Sequence, residues 1–320
     1  MSRLELGEAN LNFLVTTDQG KYVLRINMDP ASQSKTVSEY EMLRALEGRG
    51  IAPRAFVLDQ SKAPFGANFL VVEYVEGRPL SEAETRHISA ESAAKLARLV
   101  AGVHSLDLRL IPGVIPARGQ TYNSWIMRME GEIAYIRSNR ERRSLGGRFD
   151  DLLDHAFAKV KTIAGETGFS NVVTAGHGDV CAQNVIVQAR SGVLRLIDWE
   201  NFGLWDPAAE IAMILEAFGL DFPSEAEGVF MESYEEIRND NTLEERLDIF
   251  RPIVQLEQLT WGVRHVFEIS NGEMNRAFIE ATEKSKHVAF VDFCLARCIE
   301  SGLIDSADTT AKELEIFPSS

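Results

Sequence analysis

Residues 177–200 gather oxygen-bearing side chains into one short stretch. It reads His177-Gly178-Asp179-Val180-Cys181-Ala182-Gln183-Asn184, then Val185-Ile186-Val187, a turn at Arg190-Ser191-Gly192, and Leu196-Ile197-Asp198-Trp199-Glu200. The spacing His-x-Asp-x-x-x-x-Asn followed by a strand-borne Asp meets the needs of phosphoryl transfer from Mg-ATP. In such an arrangement Asp179 accepts the proton of a substrate hydroxyl, and Asn184 and Asp198 hold Mg²⁺ through hard oxygen ligands. A His-Gly-Asp triplet is common, and an Asp at a strand end often only caps a turn. Three polar positions bracketed by the apolar runs Val185–Val187 and Val193–Ile197 argue against coincidence. His177 is expected to hold backbone by hydrogen bonds rather than to do chemistry.

These side chains need a scaffold, and the hydrophobic pattern supplies one. Asn12–Thr17 and Lys21–Asn27 alternate like strands around a turn at Thr17-Asp18-Gln19-Gly20. Ser34–Glu47 reads as a helix with Val37, Tyr40, Leu43 and Leu46 on one stripe, ended by Gly48. Ala55–Asp59 and Asn68–Val75 are two further strands, and Glu76-Gly77-Arg78-Pro79 breaks the pattern. Beyond it the period is helical at Glu91–His104, Ser124–Ser138, Phe149–Glu166, Pro207–Phe218, Ser224–Arg238, Leu243–Ile269 and Met274–Glu300. The order of elements predicts an α+β fold of two lobes: a small antiparallel-sheet lobe over residues 1–76 and a larger, mainly helical lobe over 77–320.

The bulk numbers restrict partners more than chemistry. A chain of 320 residues with 45% hydrophobic content can bury a sizeable core. Its formal net charge of -15 opposes binding to nucleic acid, whose phosphates demand the opposite sign. Cys181, Cys294 and Cys298 are too few for a disulfide framework, and no His or Cys cluster completes a zinc site around them. With no apolar signal stretch at the start and no run of membrane-spanning length, a cytoplasmic protein without a membrane partner is expected.

On the residues from His177 to Glu200, the chain resembles the aminoglycoside phosphotransferase and choline kinase-like family, distant relatives of protein kinases. The resemblance extends from about Gly7 to the helices after Asp206, and it implies a protein-kinase-like fold. It implies ATP and Mg²⁺ as cofactors, Asp179 as the catalytic base, and Asn184 and Asp198 as metal ligands. Asp206-Pro207-Ala208-Ala209-Glu210-Ile211-Ala212 resembles the family's next helix start, with Glu210 where Asp is more frequent, and implies a tie from Glu210 to the catalytic loop. Arg25, in Tyr22-Val23-Leu24-Arg25-Ile26, matches the strand cation that contacts the α- and β-phosphates. Glu39 matches the helix carboxylate that orients it; Glu41 competes, but Leu43, four residues after Glu39, fits the family pattern better. Gly7-Glu8-Ala9-Asn10-Leu11-Asn12 stands where the phosphate-covering loop belongs, with Asn10 as its phosphate contact. Phe69–Gly77 resembles the adenine linker, where the backbone groups of Glu73, Tyr74 and Val75 would meet the base.

The phosphate acceptor is expected to be a hydroxyl on a small molecule: an aminoglycoside, an amino alcohol or a sugar-like compound. On the helix that includes residues 253–267, Ile253, Leu256, Leu259, Val263, Val266 and Phe267 form the core stripe. Glu257, Trp261, His265 and Glu268 fall on an adjacent face, where an aromatic ring flanked by carboxylates suits an amine or a sugar. Two other readings stay open at this level. A protein kinase is one, against which stands the short segment from Asp198 to Asp206. A nucleotide-binding pseudokinase acting as an interaction module is the other, against which stands the full set of polar groups. Oligomeric state is not legible.

Overall fold

Alternation at the start of the chain produces a sheet that carries the buried cation of the site. A computed structural model describes residues 1–4, 10–28, 33–110, 117–119, 121–139, 147–165, 172–273 and 281–305. Its strands β1 (Ser2–Leu4), β2 (Asn10–Thr17), β3 (Gly20–Asn27), β4 (Ala55–Asp59) and β5 (Phe69–Glu73) form an antiparallel sheet in the order β1-β2-β3-β5-β4. Register sets Arg25 opposite Asn12 on one side and Leu70 on the other. Helix α1 (Gln33–Ala45) covers this sheet with Met42 and Leu43, both 1% exposed. The small β1 carries too few residues to show a period, and the sequence pattern did not reveal it.

Gly77–Pro79, expected as a break, forms a short strand β6. It pairs with β9 (Val185–Gln188), which in turn pairs with β10 (Leu194–Leu196), so the hairpin becomes a sheet of three strands. Between them in sequence lie α2 (Leu80–Ala83) and α3 (Ala90–His104), the latter capped by Ser89, whose hydroxyl accepts from Ser92 N–H. After the hairpin, β11 (Gly203–Trp205) pairs with β8 (Thr174–Gly176). Asp206 then caps α6 (Pro207–Ala217) by accepting from Ala208 N–H, with Pro207 preset for the first turn. The face of α3 bearing Leu96, Val100 and Val103 buries against α7 (Ser224–Arg238).

The chain divides into two compact units. The first comprises residues 1–118, 172–210 and 218–241, and the second 119–171, 211–217 and 242–320. The second is helical, with α4 (Tyr122–Asn139), α5 (Gly147–Gly165) and α9 (Ala281–Glu300) all packed on α8 (Leu243–Asn271). Its centre is the expected stripe: Ile253, Leu256, Leu259, Val263, Val266 and Phe267 are each fully buried. Pro252 lies inside α8 without ending it, because packing on three sides outweighs the local penalty. The antiparallel sheet in the N-terminal part and the mainly helical remainder are the α+β arrangement the sequence calls for. No described helix is long and apolar enough to cross a membrane.

Candidate active site

The segment from His177 to Asn184 is fixed by its own histidine. His177 is completely buried, and its Nε2 bonds Ile197 O at 2.9 Å while its Nδ1 accepts Asp179 N–H at 3.2 Å. Those partners require a proton on Nε2 and a lone pair on Nδ1, which is the neutral imidazole. Burial pushes its pKa down against the pull of Glu210 and Asp198, in keeping with that state. Trp199 packs edge-on against it with ring centroids 4.7 Å apart, and its indole N–H bonds Leu196 O at 3.0 Å. One residue further on, Gly178 adopts φ +79° and donates its N–H to Glu210, a residue 1% exposed.

Asp179 and Asn184 are joined directly. The Asn184 amide donates to Asp179 O at 3.0 Å and to Asp179 Oδ2 at 3.1 Å. This leaves Asn184 Oδ1 without a hydrogen bond among the described residues. Asp198 sits in the left-handed region at φ 64°, ψ 66°, which Asp tolerates better than most residues. Arg25 holds Asp198 Oδ1 at 2.7 Å and Glu39 Oε1 at 3.2 Å, and Glu200 Oε2 lies 3.8 Å away. The structure thus brings Arg25, Glu39 and Asp198 together, and leaves Glu41 exposed. Asn10 donates to Glu200 Oε2 at 2.7 Å. Gly7, the glycine of the expected phosphate loop, lies outside the described residues.

Electrostatically the cluster is short of cations. Glu39, Asp198 and Glu200 surround one buried guanidinium, Asp179 feels the charges of Asp198 and Glu200, and Lys35 is a distant partner of Glu200 at 3.8 Å. Burial, then the charges of Asp198 and Glu200, push Asp179 up to about 7. Glu39 is pushed up to about 7 by burial, against the pull of Arg25. Burial also opposes ionisation of Asp198, but Arg25 outweighs it and holds that carboxylate below its usual range. The donor set fits a small, hard dication. Asp198 Oδ2 and Asn184 Oδ1 carry no hydrogen bond among the described residues, and Mg²⁺ typically takes one or two protein oxygens and completes its shell with phosphate and water. Among the described residues no three His, Cys, Asp or Glu side chains form a self-sufficient metal centre.

At the linker the backbone groups differ in what they can still bind. Glu73 N–H donates to Arg54 O at 2.8 Å and Tyr74 N–H to Lys21 O at 3.3 Å. Val75, 7% exposed, has no hydrogen bond on its N–H or C=O among the described residues. The Glu73 carboxylate is gripped by Arg195 at 2.8 and 2.9 Å, a planar fork that ties β10 to β5. Sequence reasoning missed Arg195, Trp199 and Glu200 as supports. Only the conspicuous Trp-Glu pair after Asp198 could have signalled two of them.

The four α8 residues expected at the acceptor lie in the second unit and separate into two groups. Trp261 stacks on His265 with centroids 4.8 Å apart, His265 meets His287 edge-on at 4.5 Å, and Glu268 lies 3.8 Å from His265. Glu257 is instead 2% exposed, with its oxygens taken by Arg128 at 3.0 Å and Gln258 at 2.8 Å. Arg128 from α4 covers the carboxylate, which corrects its expected place beside the aromatic ring. A cavity of about 870 Å³ among α5, α8 and α9 contains none of the site residues. Its buried carboxylate, Glu216, is saturated by Arg251, Gln255 and Arg297.

Comparison with solved structures shows the same fold. A GDP complex of an aminoglycoside 2'-phosphotransferase matches with a TM-score of 0.68 and 17% identity over 96% of this chain and 93% of that one. A putative aminoglycoside phosphotransferase from Ralstonia eutropha gives 0.65 and 16% over 93% and 92%. An ethanolamine kinase from Plasmodium vivax gives 0.61 and 15% over 94% and 81%. Curated protein sequences yielded no match. The model of the phosphotransferase enzyme family matches residues 1–249, well over half the chain, and the chain therefore belongs to that family.

Proposed function

We propose that this protein transfers the γ-phosphoryl group of ATP, as its Mg²⁺ complex, to a hydroxyl of a small molecule. The observation that supports the reading is the bond from Asn184 to Asp179 within reach of the Asp198 charge, with Asn184 Oδ1 and Asp198 Oδ2 free of hydrogen bonds among the described residues. Bound magnesium would neutralise charge on the β- and γ-phosphates. Asn184 Oδ1 and Asp198 Oδ2 are the atoms that would hold it. Arg25, steadied by Glu39, would contact the phosphate tail, with Asn10 as a further phosphate contact. Residues 1–76 take the nucleotide, with the free backbone of Val75 and the carbonyl groups of Glu73 and Tyr74 facing the adenine.

Asp179 orients the acceptor hydroxyl and takes its proton late in the transfer. A carboxylate pushed up to about 7 is matched to that task near neutral pH. Its neighbour Asn184 spends both amide hydrogens on Asp179 and so fixes the carboxylate's direction. His177 and Glu210 hold the loop itself and take no part in the proton transfer.

A small-molecule acceptor is favoured over a protein. The residues between Asp198 and Asp206 are consumed by a turn at Trp199–Asn201 and by β11, which leaves no length for an activation loop. The similar structures include phosphotransferases named for aminoglycosides and a kinase named for ethanolamine, which directs the search to amine-bearing alcohols. Within residues 77–320, Trp261, 36% exposed, with His265 and Glu268 beside it, is our candidate for recognising such an amine. A cytoplasmic setting without nucleic acid partners accords with the net charge of -15.

The test is Asp179→Asn, assayed for ADP release with a panel of aminoglycosides and amino alcohols. Turnover should fall by about 10²-fold or more, while the affinity for a non-hydrolysable ATP analogue changes little. Equal turnover in the two proteins contradicts the assignment.

A further inference from the structure

Behind Glu210 the structure continues a chain of hydrogen bonds that the site itself does not explain. Glu210 Oε1 takes Gly178 N–H, and its Oε2 lies 2.6 Å from His104 Nε2. His104 Nδ1 in turn lies 2.7 Å from the Tyr234 hydroxyl. The three side chains are buried, His104 and Glu210 each 1% exposed and Tyr234 not at all. They come from the end of α3, the first turn of α6 and the middle of α7.

We infer that His104, itself held by Tyr234, is a positioning residue that fixes Glu210 and, through it, the peptide preceding Asp179. This rests on the phosphotransfer reading above for its catalytic consequence. The physical need is specific. A glutamate has three side-chain torsions, and one bond to Gly178 N–H constrains only one of its oxygens. The second oxygen must be held as well for the acceptor of that N–H to stay in one place. His104 holds it with a charge-assisted bond in a buried site, where an unpaired carboxylate is costly. Burial opposes the Glu210 charge, but the His104 bond outweighs it and keeps the carboxylate ionised.

The polarity of the inner link is fixed. With Glu210 ionised, His104 Nε2 must donate. The Tyr234 hydroxyl holds the other ring nitrogen, Nδ1, at 2.7 Å. Arg238 adds a clamp on the backbone, with Nη1 2.8 Å from His104 O. Nothing in this arrangement touches substrate. Its output is the direction of the Gly178 N–H bond and hence the placement of Asp179.

The experiment compares His104→Leu with His104→Gln, whose Nε2 can restore the donor to Glu210. In His104→Leu, kcat should fall by about 30- to 100-fold with KM for ATP changed by less than about threefold, as expected for a small displacement of a reacting group. His104→Gln should recover most of that loss. Independently of activity, the Gly178 amide proton of glycine-labelled wild type should resonate far downfield and exchange slowly. It should move upfield in His104→Leu and stay in His104→Gln. Should His104→Leu fail to fold, Tyr234→Phe removes the outer hydrogen-bond partner alone and should shift the same amide in the same direction by less. An unmoved Gly178 amide in both the Leu and the Phe variants, or a Gln variant no better than Leu, would overturn the inference. A wild type inactive on every acceptor, yet with the Gly178 response intact, would sink the phosphotransfer reading and leave this one standing.

Discussion

Replacing Gly178 by alanine should harm the protein in a way that reports directly on the loop that carries Asp179. At φ +79° an L-residue pays about 1–2 kcal/mol of backbone strain. The added Cβ would stand 2.4 Å from Asn201 O and 2.6 Å from the Trp205 ring, far inside ordinary contact. Neither neighbour can retreat cheaply. Trp205 is 2% exposed on a strand paired with β8, and Asn201 ends the turn that begins at Trp199. Overpacking of this kind typically costs about 1–3 kcal/mol, so the two contributions together come to about 2–5 kcal/mol if the loop keeps its place. If the loop yields instead, the adjoining Asp179 moves with it, and a displacement of about 1 Å costs on the order of 10²-fold in rate. Stability and turnover therefore trade off, and G178A must lose one or both. Urea unfolding and ADP release, measured on the same preparation, read the two arms. Gly102→Ala serves as the control, since nothing lies within 4 Å of a Cβ there and a helical alanine is favoured by about 0.5–1 kcal/mol. A G178A protein with wild-type midpoint and wild-type turnover would refute the reasoning.

Two further outcomes follow from buried charge. Arg25→Met leaves Glu39, Asp198 and Glu200 without their shared cation and should cost about 3–5 kcal/mol in urea unfolding at pH 7; an unchanged midpoint would contradict the network. Glu132, 2% exposed, is pushed up to about 8 by burial and by the Glu257 carboxylate. Its folded pKa lies above its unfolded one, so its contribution is fully present below pH ~4.5 and is lost as pH rises through about 8. Between pH 5 and 8.5 the wild type should therefore lose up to about 4 kcal/mol that Glu132→Gln does not lose. Parallel pH profiles of melting temperature in the two proteins would rule this out.

Among the described residues the elements with a clear period were legible to within a residue or two; the first part of the helix expected over Met274–Glu300, residues 274–280, lies outside them. Ser224–Arg238 and Ala55–Asp59 occupy the expected spans, the first with Ala226, Phe230 and Tyr234 buried at helical spacing. The three-residue strands β6, β8 and β11 were not legible, since three residues cannot display a period and their pairing partners lie far away in sequence. Glu257 shows the same limit at the level of a side chain. The α8 period set it beside the core stripe, but Arg128, 129 residues earlier, decides that its carboxylate is covered.

The candidate site divides along the same line. Asp179, Asn184 and Asp198 could be read because one hairpin spaces them, and a hairpin converts sequence separation into geometry with little freedom. Of the groups behind them, His177 and, through the family resemblance, Glu210 were expected, but His104 and Arg195 were not, because their partners lie far off in sequence. Glu210 reaches Gly178 across 32 residues, His104 reaches Glu210 across 106, and Arg195 reaches Glu73 across 122. Asp198 adds a constraint of another kind. Its φ of 64° is unfavourable for an ordinary residue, and no local turn chemistry in Leu196-Ile197-Asp198-Trp199 announces it. The conformation persists because Arg25 holds the carboxylate and Trp199, the next residue, is locked by Leu196 O and His177. Strain retained at a residue with one carboxylate oxygen free of hydrogen bonds among the described residues is more simply understood as aiming that oxygen than as a cost of the turn, since the turn alone would be relieved by glycine.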